Sequence, residues 1–258
     1  MKILAIGDVV GRAAVSHLSE KLYGVRRQLG VDFVIANGEN ASEIHGVSAA
    51  DATAILDAGV DVITLGNHTF GSRDIGDMLD GSPEKIIRPL NYPAECPGVG
   101  YTILKVNGLR VLVMNVMGVV YMEPLDSPFD AVECILERER GSFDISVLDV
   151  HAEATSEKYA LARYFDGRIN IIFGTHTHVT TADEQILPGG TAYITDLGMT
   201  GPVNGILGTD ADAVLRKMRT HMPSRFKVAE GEIRASATLF ELSDSQPYMA
   251  VSVKRVRF

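Results

Sequence analysis

The sequence predicts an α/β fold, because short β-branched runs alternate with helix-like stretches through the first two thirds of the chain. Polar residues recur directly after the apolar runs, where ligands bind in open α/β sheets. Two long alternating runs, over residues 233–242 and 248–256, indicate an antiparallel pair. The chain has no internal repeat and no Ser/Pro-rich linker, so residues 1–258 are expected to form a single domain with two β-rich halves.

The first half of the chain contains five predicted elements in the order strand, helix, strand, helix, strand. They cover residues 2–6, 13–28, 33–36, 48–56 and 62–65. The first helix is amphipathic, with Leu18, Leu22 and Val25 at three- and four-residue spacing. The second helix has Ser48 at its start, and serine is a favoured N-cap residue.

The second half begins with a predicted hairpin, whose strands over residues 101–106 and 110–114 flank Asn107-Gly108-Leu109. The later elements are a helix over 128–138, strands over 145–150, 171–173 and 192–194, and a helix over 210–221. This alternation is typical of strands that are joined by helical crossovers.

The charge balance argues against extended duplex nucleic acid as a partner. The chain has 24 Lys and Arg against 33 Asp and Glu, a formal net charge of -9, which opposes attraction to a polyanion. A small phosphorylated ligand is compatible with this charge, because bound divalent metals can form a strong local cation cluster.

Membrane insertion and secretion are not expected from the sequence. No apolar stretch approaches the roughly 18 residues that cross a bilayer. The apolar start of the chain ends at Asp8 and is too short for a secretory leader. The two cysteines, Cys96 and Cys134, are expected to be free thiols in a reduced, cytoplasmic setting.

Five loops at the carboxyl ends of apolar runs carry side chains that can bind metals. These are Asp8, Glu39, Asn67 with His68, His151, and His176 with His178. Carboxylates, an amide and imidazoles match the ligands of zinc, manganese and iron rather than the all-oxygen cage of calcium. The set is too large for one tetrahedral site, so we expect two metals roughly 3.5 to 4 Å apart that share a carboxylate, with Glu39 as the natural bridge.

Each of these residues also has an ordinary structural explanation when it is taken alone. Asp8 could cap a helix, Gly66-Asn67-His68 could form a turn, and His151 could be a hydrogen-bonded core histidine. The pair His176 and His178 is more specific, because residues at i and i+2 in an extended loop project to the same side. The recurrence at five strand ends favours one shared metal site.

Five sequence blocks, in this order, resemble the ligand blocks of the calcineurin-like metallophosphoesterases: Gly7-Asp8, Gly38-Glu39-Asn40, Gly66-Asn67-His68, Asp149-Val150-His151 and Gly174-Thr175-His176-Thr177-His178. Residues 88–92, 151–158 and 189–193 resemble the narrower YmdB-like family of bacterial phosphodiesterases that act on cyclic nucleotides. The resemblance implies a four-layer α/β/β/α sandwich with a dimetal centre at the sheet ends. It also implies hydrolysis of cyclic phosphodiesters, with 2′,3′-cyclic nucleotides as the substrate class.

The sequence departs from the wider superfamily at two positions. The usual Asp-x-His opening reads Asp8-Val9-Val10, so one imidazole is missing, and the YmdB-like resemblance implies that Asn40 replaces it. The resemblance thus implies two ligand sets: Asp8, Glu39, Asn40 and His178 for one metal, and Glu39, Asn67, His151 and His176 for the other. Thr69 stands where the superfamily usually has an acid, so His68 is expected to be a weaker proton donor.

The expected reaction is attack on phosphorus by a metal-bridging hydroxide, without a covalent intermediate. Two metals lower the pKa of a bridging water from about 15.7 toward about 7. Because His68 is not needed as a ligand, we expect it to donate a proton to the departing ribose oxygen or to hydrogen-bond the phosphate. Iron or manganese is the expected metal, and zinc is an alternative.

Two other functions stay open at the level of the sequence. A phosphomonoesterase needs the same metal clamp, and a regulatory protein could sense metal or nucleotide through a site without turnover. The chain lacks G-x-G-x-x-G, Walker A and Gly-x-Ser-x-Gly patterns. A homo-oligomer is expected from the resemblance and the apolar helix faces. His17, His45 and His221 are interpreted as surface residues, although the loop of His45 could line the pocket.

Overall fold

The structure is a computed structural model that describes residues 1–43 and 45–258. The strands are β1 (Lys2–Ile6), β2 (Asp8–Val9), β3 (Phe33–Asn37), β4 (Val62–Thr64), β5 (Ile86–Ile87), β6 (Tyr101–Val106), β7 (Leu109–Met117), β8 (Ile145–His151), β9 (Ile171–Thr175), β10 (Gln185–Ile186), β11 (Ala192–Ile194), β12 (Met199–Pro202), β13 (Ile233–Arg234), β14 (Ser236–Leu242) and β15 (Ala250–Arg257). The helices are α1 (Arg12–Leu29), α2 (Ala49–Asp57), α3 (Ile75–Gly81), α4 (Pro128–Arg138), α5 (Thr155–Tyr164) and α6 (Ala211–Thr220). Within these ranges, no helix combines the length and the apolar character that crossing a bilayer requires.

Two six-stranded sheets have parallel centres; the first has one antiparallel edge and the second has two. The first has the order β15-β14-β1-β3-β4-β5, with β1, β3, β4 and β5 parallel. The second has the order β10-β11-β9-β8-β7-β6, with β11, β9, β8 and β7 parallel. A small sheet, β13-β12-β2, pairs Asp8 with Met199. This pairing brings the last quarter of the chain beside the first strand-end loop.

Three apolar clusters separate four layers of secondary structure. Between the sheets, Ile3, Phe33 and Val62 of the first sheet belong to one buried cluster with Val113 and Phe173 of the second. Helices α1, α2 and α3 cover the outer face of the first sheet, and α4 and α5 cover that of the second. The arrangement confirms the α/β/β/α sandwich that the sequence resemblance implies.

The tail and the first hairpin differ in detail from the sequence prediction. The run over residues 233–242 divides at Ala235, because β13 joins the small sheet whereas β14 pairs with β1. The antiparallel pair expected in the tail is confirmed by β14 and β15. The hairpin turn is shorter than expected, since Asn107 and Gly108 alone connect the strands and β7 already begins at Leu109.

Helices α3 and α5 were not predicted from the sequence. Helix α5 buries Glu157 and Lys158 beside Leu161. Its buried face therefore includes charged residues, whereas the buried face of an amphipathic helix is usually apolar. Helix α3 is short and includes Gly76 and Gly81, which weaken a helical pattern. The apolar pattern of the sequence therefore did not reveal either helix.

We expect Phe240→Ala to lower the free energy of unfolding by about 3 to 5 kcal/mol, because this buried ring stacks on Phe173 between the sheets. Tyr23→Ala is the control, since the ring of Tyr23 is 74% exposed on α1 and its loss should change the stability by less than about 0.5 kcal/mol. Urea unfolding followed by circular dichroism measures both. A loss at Phe240 as small as that at Tyr23 would contradict a tightly packed interface between the sheets.

Candidate metal centre

The five predicted loops meet at the edge of the sandwich where the parallel strands of both sheets end. Asp8 lies in β2, Glu39 and Asn40 follow β3, Asn67 and His68 follow β4, His151 ends β8, and His176 and His178 follow β9. A cleft of about 300 Å³ opens at this edge. Its lining includes five of the predicted residues, namely Glu39, Asn40, His68, His176 and His178. Asp8, Asn67 and His151 contact these residues from behind the cleft surface.

Glu39, His151 and His176 form a compact group of metal-binding atoms. Their ligand atoms all lie within 4.8 Å of one another. The Nε2 atom of His151 lies 3.2 Å from Oε1 of Glu39 and 3.1 Å from Nδ1 of His176. Asn67 joins this group, because its Oδ1 atom lies 2.9 Å from the same Nε2 atom. Four side chains, two from the loops of each large sheet, therefore converge on a volume suited to a cation.

Asp8, Asn40 and His178 form a second group beside Glu39. The Nε2 atom of His178 lies 3.8 Å from Oδ1 of Asp8 and 3.4 Å from Nδ2 of Asn40. Asp8 and Asn40 are buried, yet the Oδ1 atom of each has no hydrogen-bond partner among the described residues. Buried oxygens without a donor are unfavourable, and a divalent cation satisfies them. These residues therefore fit a metal site of mixed nitrogen and oxygen ligands.

The buried charges of the site shift each other's pKa. Burial raises the pKa of Glu39, but the neighbouring His151 and His68 outweigh burial and lower that pKa to about 2. Burial lowers the pKa of His151, whereas the carboxylates of Glu39 and Asp8 outweigh this effect and raise that pKa to about 9. The same negative charge attracts a divalent cation, which would displace the proton.

The pKa values of two other histidines are shifted in the opposite direction. Burial and the adjacent His151 lower the pKa of His176 to about 3. Burial also lowers the pKa of His68, and His45 adds to this effect against the attraction of Glu39. Both rings are therefore neutral near pH 7, and a neutral imidazole has one lone pair for a metal and one N–H for a hydrogen bond.

A buried network behind the cleft fixes the orientation of His151. The hydroxyl of Thr175 donates to Oδ1 of Asp149 at 2.8 Å and lies 2.9 Å from Nδ1 of His151. Because its proton goes to Asp149, Thr175 accepts from Nδ1, so Nε2 faces Glu39 and would offer its lone pair there once a cation has displaced its proton. Gly66 packs against the same ring, since a Cβ there would lie 2.2 Å from Cδ2 of His151.

The loop that carries His176 and His178 has an unfavourable backbone conformation. Their φ angles are 96° and 63°, in a region that residues other than glycine rarely adopt. Thr177, between them, donates its backbone N–H to Asp196 at 3.2 Å and its hydroxyl to the same carboxylate at 2.8 Å. Asp196 in turn pairs with Nζ of Lys158 at 2.6 Å, and both side chains are buried. This ion pair holds the loop and so positions both histidines.

His68 lies at the cleft next to the two groups of ligand atoms. Its backbone N–H donates to Oε2 of Glu39 at 2.8 Å. The ring of His45 lies against the ring of His68, with the centroids 4.1 Å apart. His45 is exposed, as expected, and its loop does line the cleft. The hydroxyl of Thr69 donates to the carbonyl of Gly66 at 2.7 Å, so Thr69 closes the turn at the end of β4.

The other unassigned histidines lie elsewhere. His221 is exposed and ends α6, as expected of a surface residue. His17 is half-buried, because its Nε2 atom lies 3.0 Å from the carbonyl oxygen of Phe258. The interpretation of His17 as a surface residue is therefore corrected, since it joins α1 to the end of the chain.

Several residues of the site were not predicted. Glu153 lines the cleft, with its Oε2 atom 3.2 Å from Nε2 of His176. The carbonyl oxygen of Leu207 lies 3.1 Å from Nδ1 of His178. Glu153 and Lys158 belong to the block over residues 151–158 that carries the YmdB-like resemblance, which was the available signal. Leu207 had no such signal, because it reaches the cleft through a turn far along the chain.

We expect Lys158→Met to lower the free energy of unfolding by about 3 to 5 kcal/mol, because it leaves the buried carboxylate of Asp196 without its partner. Arg255→Met is the matched control, since Arg255 pairs with Glu184 in an exposed contact and such pairs contribute at most about 1 kcal/mol. Urea unfolding of both variants measures the difference. Equal, small losses would contradict the role given to the buried pair.

Comparisons with known proteins agree with the fold. A family model described as YmdB-like protein matches residues 4–256. The 2′,3′-cyclic-nucleotide 2′-phosphodiesterase of Bacillus subtilis is 42% identical over 256 residues, which cover 99% of this chain and 96% of the relative.

Two solved structures share the fold over more than nine tenths of their lengths. A hypothetical protein from Thermus thermophilus has a TM-score of 0.93 at 40% identity, over 100% of this chain and 99% of that chain. A novel phosphatase from Mycoplasma pneumoniae has a TM-score of 0.93 at 30% identity, over 100% of this chain and 93% of that chain. Because both the family model and the relatives span nearly the whole sequence, the chain belongs to the family of YmdB-like proteins.

Proposed function

We propose that this protein is a metal-dependent phosphodiesterase that hydrolyses cyclic nucleotides, with 2′,3′-cyclic nucleotides as its substrates. The group formed by Glu39, His151 and His176 carries the proposal, because three ligand atoms within 4.8 Å of one another suit a metal that binds phosphate. The name of the B. subtilis relative supports this substrate class. A cleft of about 300 Å³ suits a small ligand.

Two ligand sets share Glu39 in this proposal. Asp8, Glu39, Asn40 and His178 would hold one divalent metal, and Glu39, Asn67, His151 and His176 would hold the other. The first set is supported by the buried Oδ1 atoms of Asp8 and Asn40, which have no partner among the described residues. The second is supported by its short interatomic distances. Iron or manganese suits these nitrogen and oxygen ligands, and zinc is the alternative.

The reaction depends on how the protein holds phosphate and water near these ligands. When bound, divalent cations neutralise phosphate oxygens and make water acidic enough to act as a nucleophile near neutral pH. Glu39 keeps its position through the backbone N–H of His68 and the ring of His151. His68 lines the cleft outside both ligand sets. We propose that its N–H donates a hydrogen bond to the phosphate, or that the protonated ring, which the lowered pKa of His68 makes the minor form near pH 7, donates a proton to the departing ribose oxygen.

Three further expectations stay predictions from the sequence. These are a single domain over residues 1–258, a cytoplasmic location and a homo-oligomeric state. A small phosphorylated substrate, rather than extended duplex nucleic acid, agrees with the net charge of -9.

Protein loaded with manganese should hydrolyse 2′,3′-cyclic AMP faster than 3′,5′-cyclic AMP or p-nitrophenyl phosphate. Glu39→Gln should reduce this rate by more than about 100-fold and lower the metal content, because it removes the charge shared by both ligand sets. Glu232→Gln is the matched control, since Glu232 is exposed and pairs with Arg234 at the surface. Chromatography of the nucleoside monophosphate product, the absorbance of p-nitrophenolate and metal analysis by mass spectrometry give the readouts.

The outcomes separate the three functions. Turnover of p-nitrophenyl phosphate alone would replace the proposal by a phosphomonoesterase with the same site. Bound metal without turnover of any substrate would favour a regulatory protein that senses metal or nucleotide. Full activity of Glu39→Gln would contradict the proposed ligand sets.

His68→Ala should lower kcat by about 10² to 10⁴ while the metal content stays unchanged, because the ring lines the cleft without belonging to a ligand set. His221→Asn is the control, since His221 is exposed at the end of α6 with a φ of 57°, which asparagine tolerates. Steady-state kinetics and metal analysis check both variants. Loss of metal together with activity would instead make His68 a ligand or a structural residue.

A further inference from the structure

A two-residue turn at the cleft contains a leucine in a conformation that leucine disfavours. Leu207 and Gly208 have φ angles of 51° and 84°. They connect Ile206 and Thr209, whose backbones form reciprocal hydrogen bonds of 2.8 and 3.0 Å. Positive φ at both central positions is typical of a type I′ turn, in which asparagine, aspartate or glycine usually precedes glycine. Leucine is unfavourable there, because its Cβ approaches the neighbouring carbonyl oxygen.

The same chain makes this turn a second time with the usual residues. Asn107 and Gly108 connect β6 and β7 with φ angles of 51° and 87°. This hairpin lies at the start of β7, whose nine residues extend roughly 30 Å toward the cleft edge. The two turns thus have nearly the same backbone but lie in different surroundings. The requirements of the turn therefore do not explain leucine at position 207.

The backbone of Leu207 has a role that any residue could fill. Its carbonyl oxygen lies 3.1 Å from Nδ1 of His178 and accepts a hydrogen bond from it, and this contact turns Nε2 toward Asp8. A carbonyl is common to all residues, and asparagine would supply it equally. The choice of leucine must therefore depend on its side chain.

The side chain of Leu207 gives the cleft an accessible apolar wall. It lines the cleft and is 49% exposed, whereas the other aliphatic lining residue, Val10, is buried. The remaining lining residues are histidines, acids, Asn40 and two threonines. A half-exposed leucine next to such polar groups contributes little to folding, but it can pack against an apolar part of a bound ligand.

We propose that Leu207 is a specificity-determining residue that packs against the nucleoside part of the substrate. This inference rests on the proposed function, in which Glu39, His176 and His178 would help to hold the metals that bind the phosphate. Leu207 lines the same cleft as these three residues, so its side chain is within reach of a group attached to the phosphate. A nucleoside offers an apolar face for this contact, whereas a small cyclic diester such as glycerol 1,2-cyclic phosphate does not.

Leu207→Asn tests the side chain while it keeps the carbonyl and improves the turn. We expect the KM for 2′,3′-cyclic AMP to rise about tenfold, with kcat changed by less than about twofold. The KM for glycerol 1,2-cyclic phosphate should stay the same. The melting temperature should rise by about 2 to 4 °C, because asparagine adopts the left-handed conformation more readily. Leu207→Met, which keeps an apolar side chain, should retain the low KM.

Asn107→Leu is the matched control, because it places leucine in the same turn far from the cleft. Its melting temperature should fall, and its kinetic constants should equal those of the unchanged protein. An equal change of KM for both substrates in Leu207→Asn, or no change for either, would overturn the inference. If Leu207→Asn lowered both kcat and the metal content, the side chain would have a structural role instead, and this result too would overturn the inference.

A binding experiment keeps this inference separate from the proposed function. If neither cyclic diester is hydrolysed, the proposed function fails, and calorimetry with adenosine 3′-monophosphate and inorganic phosphate still tests Leu207. We expect Leu207→Asn to weaken binding of the nucleotide about tenfold and to leave binding of phosphate unchanged. Equal affinity of both proteins for the nucleotide would overturn the contact between Leu207 and the nucleoside.

Discussion

The site depends on how the fold compensates four carboxylates that are buried at one edge of the sandwich: Asp8, Glu39, Asp149 and Asp196. A buried carboxylate is strongly unfavourable without a partner. Asp196 pairs with Lys158, Glu39 contacts His151, and Asp149 accepts from two threonine hydroxyls. Within this set, Asp8 has an Oδ1 atom without a partner among the described residues, and burial raises its pKa. Asp8 therefore lacks a hydrogen-bonded cationic partner where one proposed metal would bind, so the same electrostatic balance governs folding and metal affinity.

The buried carboxylates meet their partners only when the two sheets are stacked, because each sheet supplies part of the site. Glu39 and Asn67 follow strands of the first sheet, whereas His151 ends a strand of the second. A hydrogen bond of 2.5 Å between Thr64 on β4 and Asp149 on β8 also joins the two sheets. The polar network that orients His151 thus crosses the sandwich at the edge of its apolar core. Packing between the sheets and geometry of the site are consequently linked.

The place where the proposed ligand residues converge could be predicted from the sequence, because the rule that locates them is local. Glu39 and His151 each directly follow or end an apolar run, and parallel strands bring such positions together. Lys158 could not be found in this way, since a lysine on a helix ordinarily faces solvent and its partner Asp196 lies 38 residues away. The break at Ala235 was missed for a related reason, because the alternating pattern continues while the chain passes from one sheet to another. Both unpredicted features, the buried ion pair and the break in the strand, depend on contacts between segments that are far apart in the sequence.

Backbone strain shows the same dependence on distant contacts. His176, His178 and Leu207 are three of six non-glycine residues with positive φ in the described part of the chain, and all three line the cleft. Such conformations persist only where the surrounding structure holds them. Asp196 holds the loop between the two histidines, and the carbonyl of Leu207 meets the ring of His178. The loop and the turn therefore stabilise each other, and the directions of both imidazoles are properties of the complete fold rather than of the His-Thr-His motif itself.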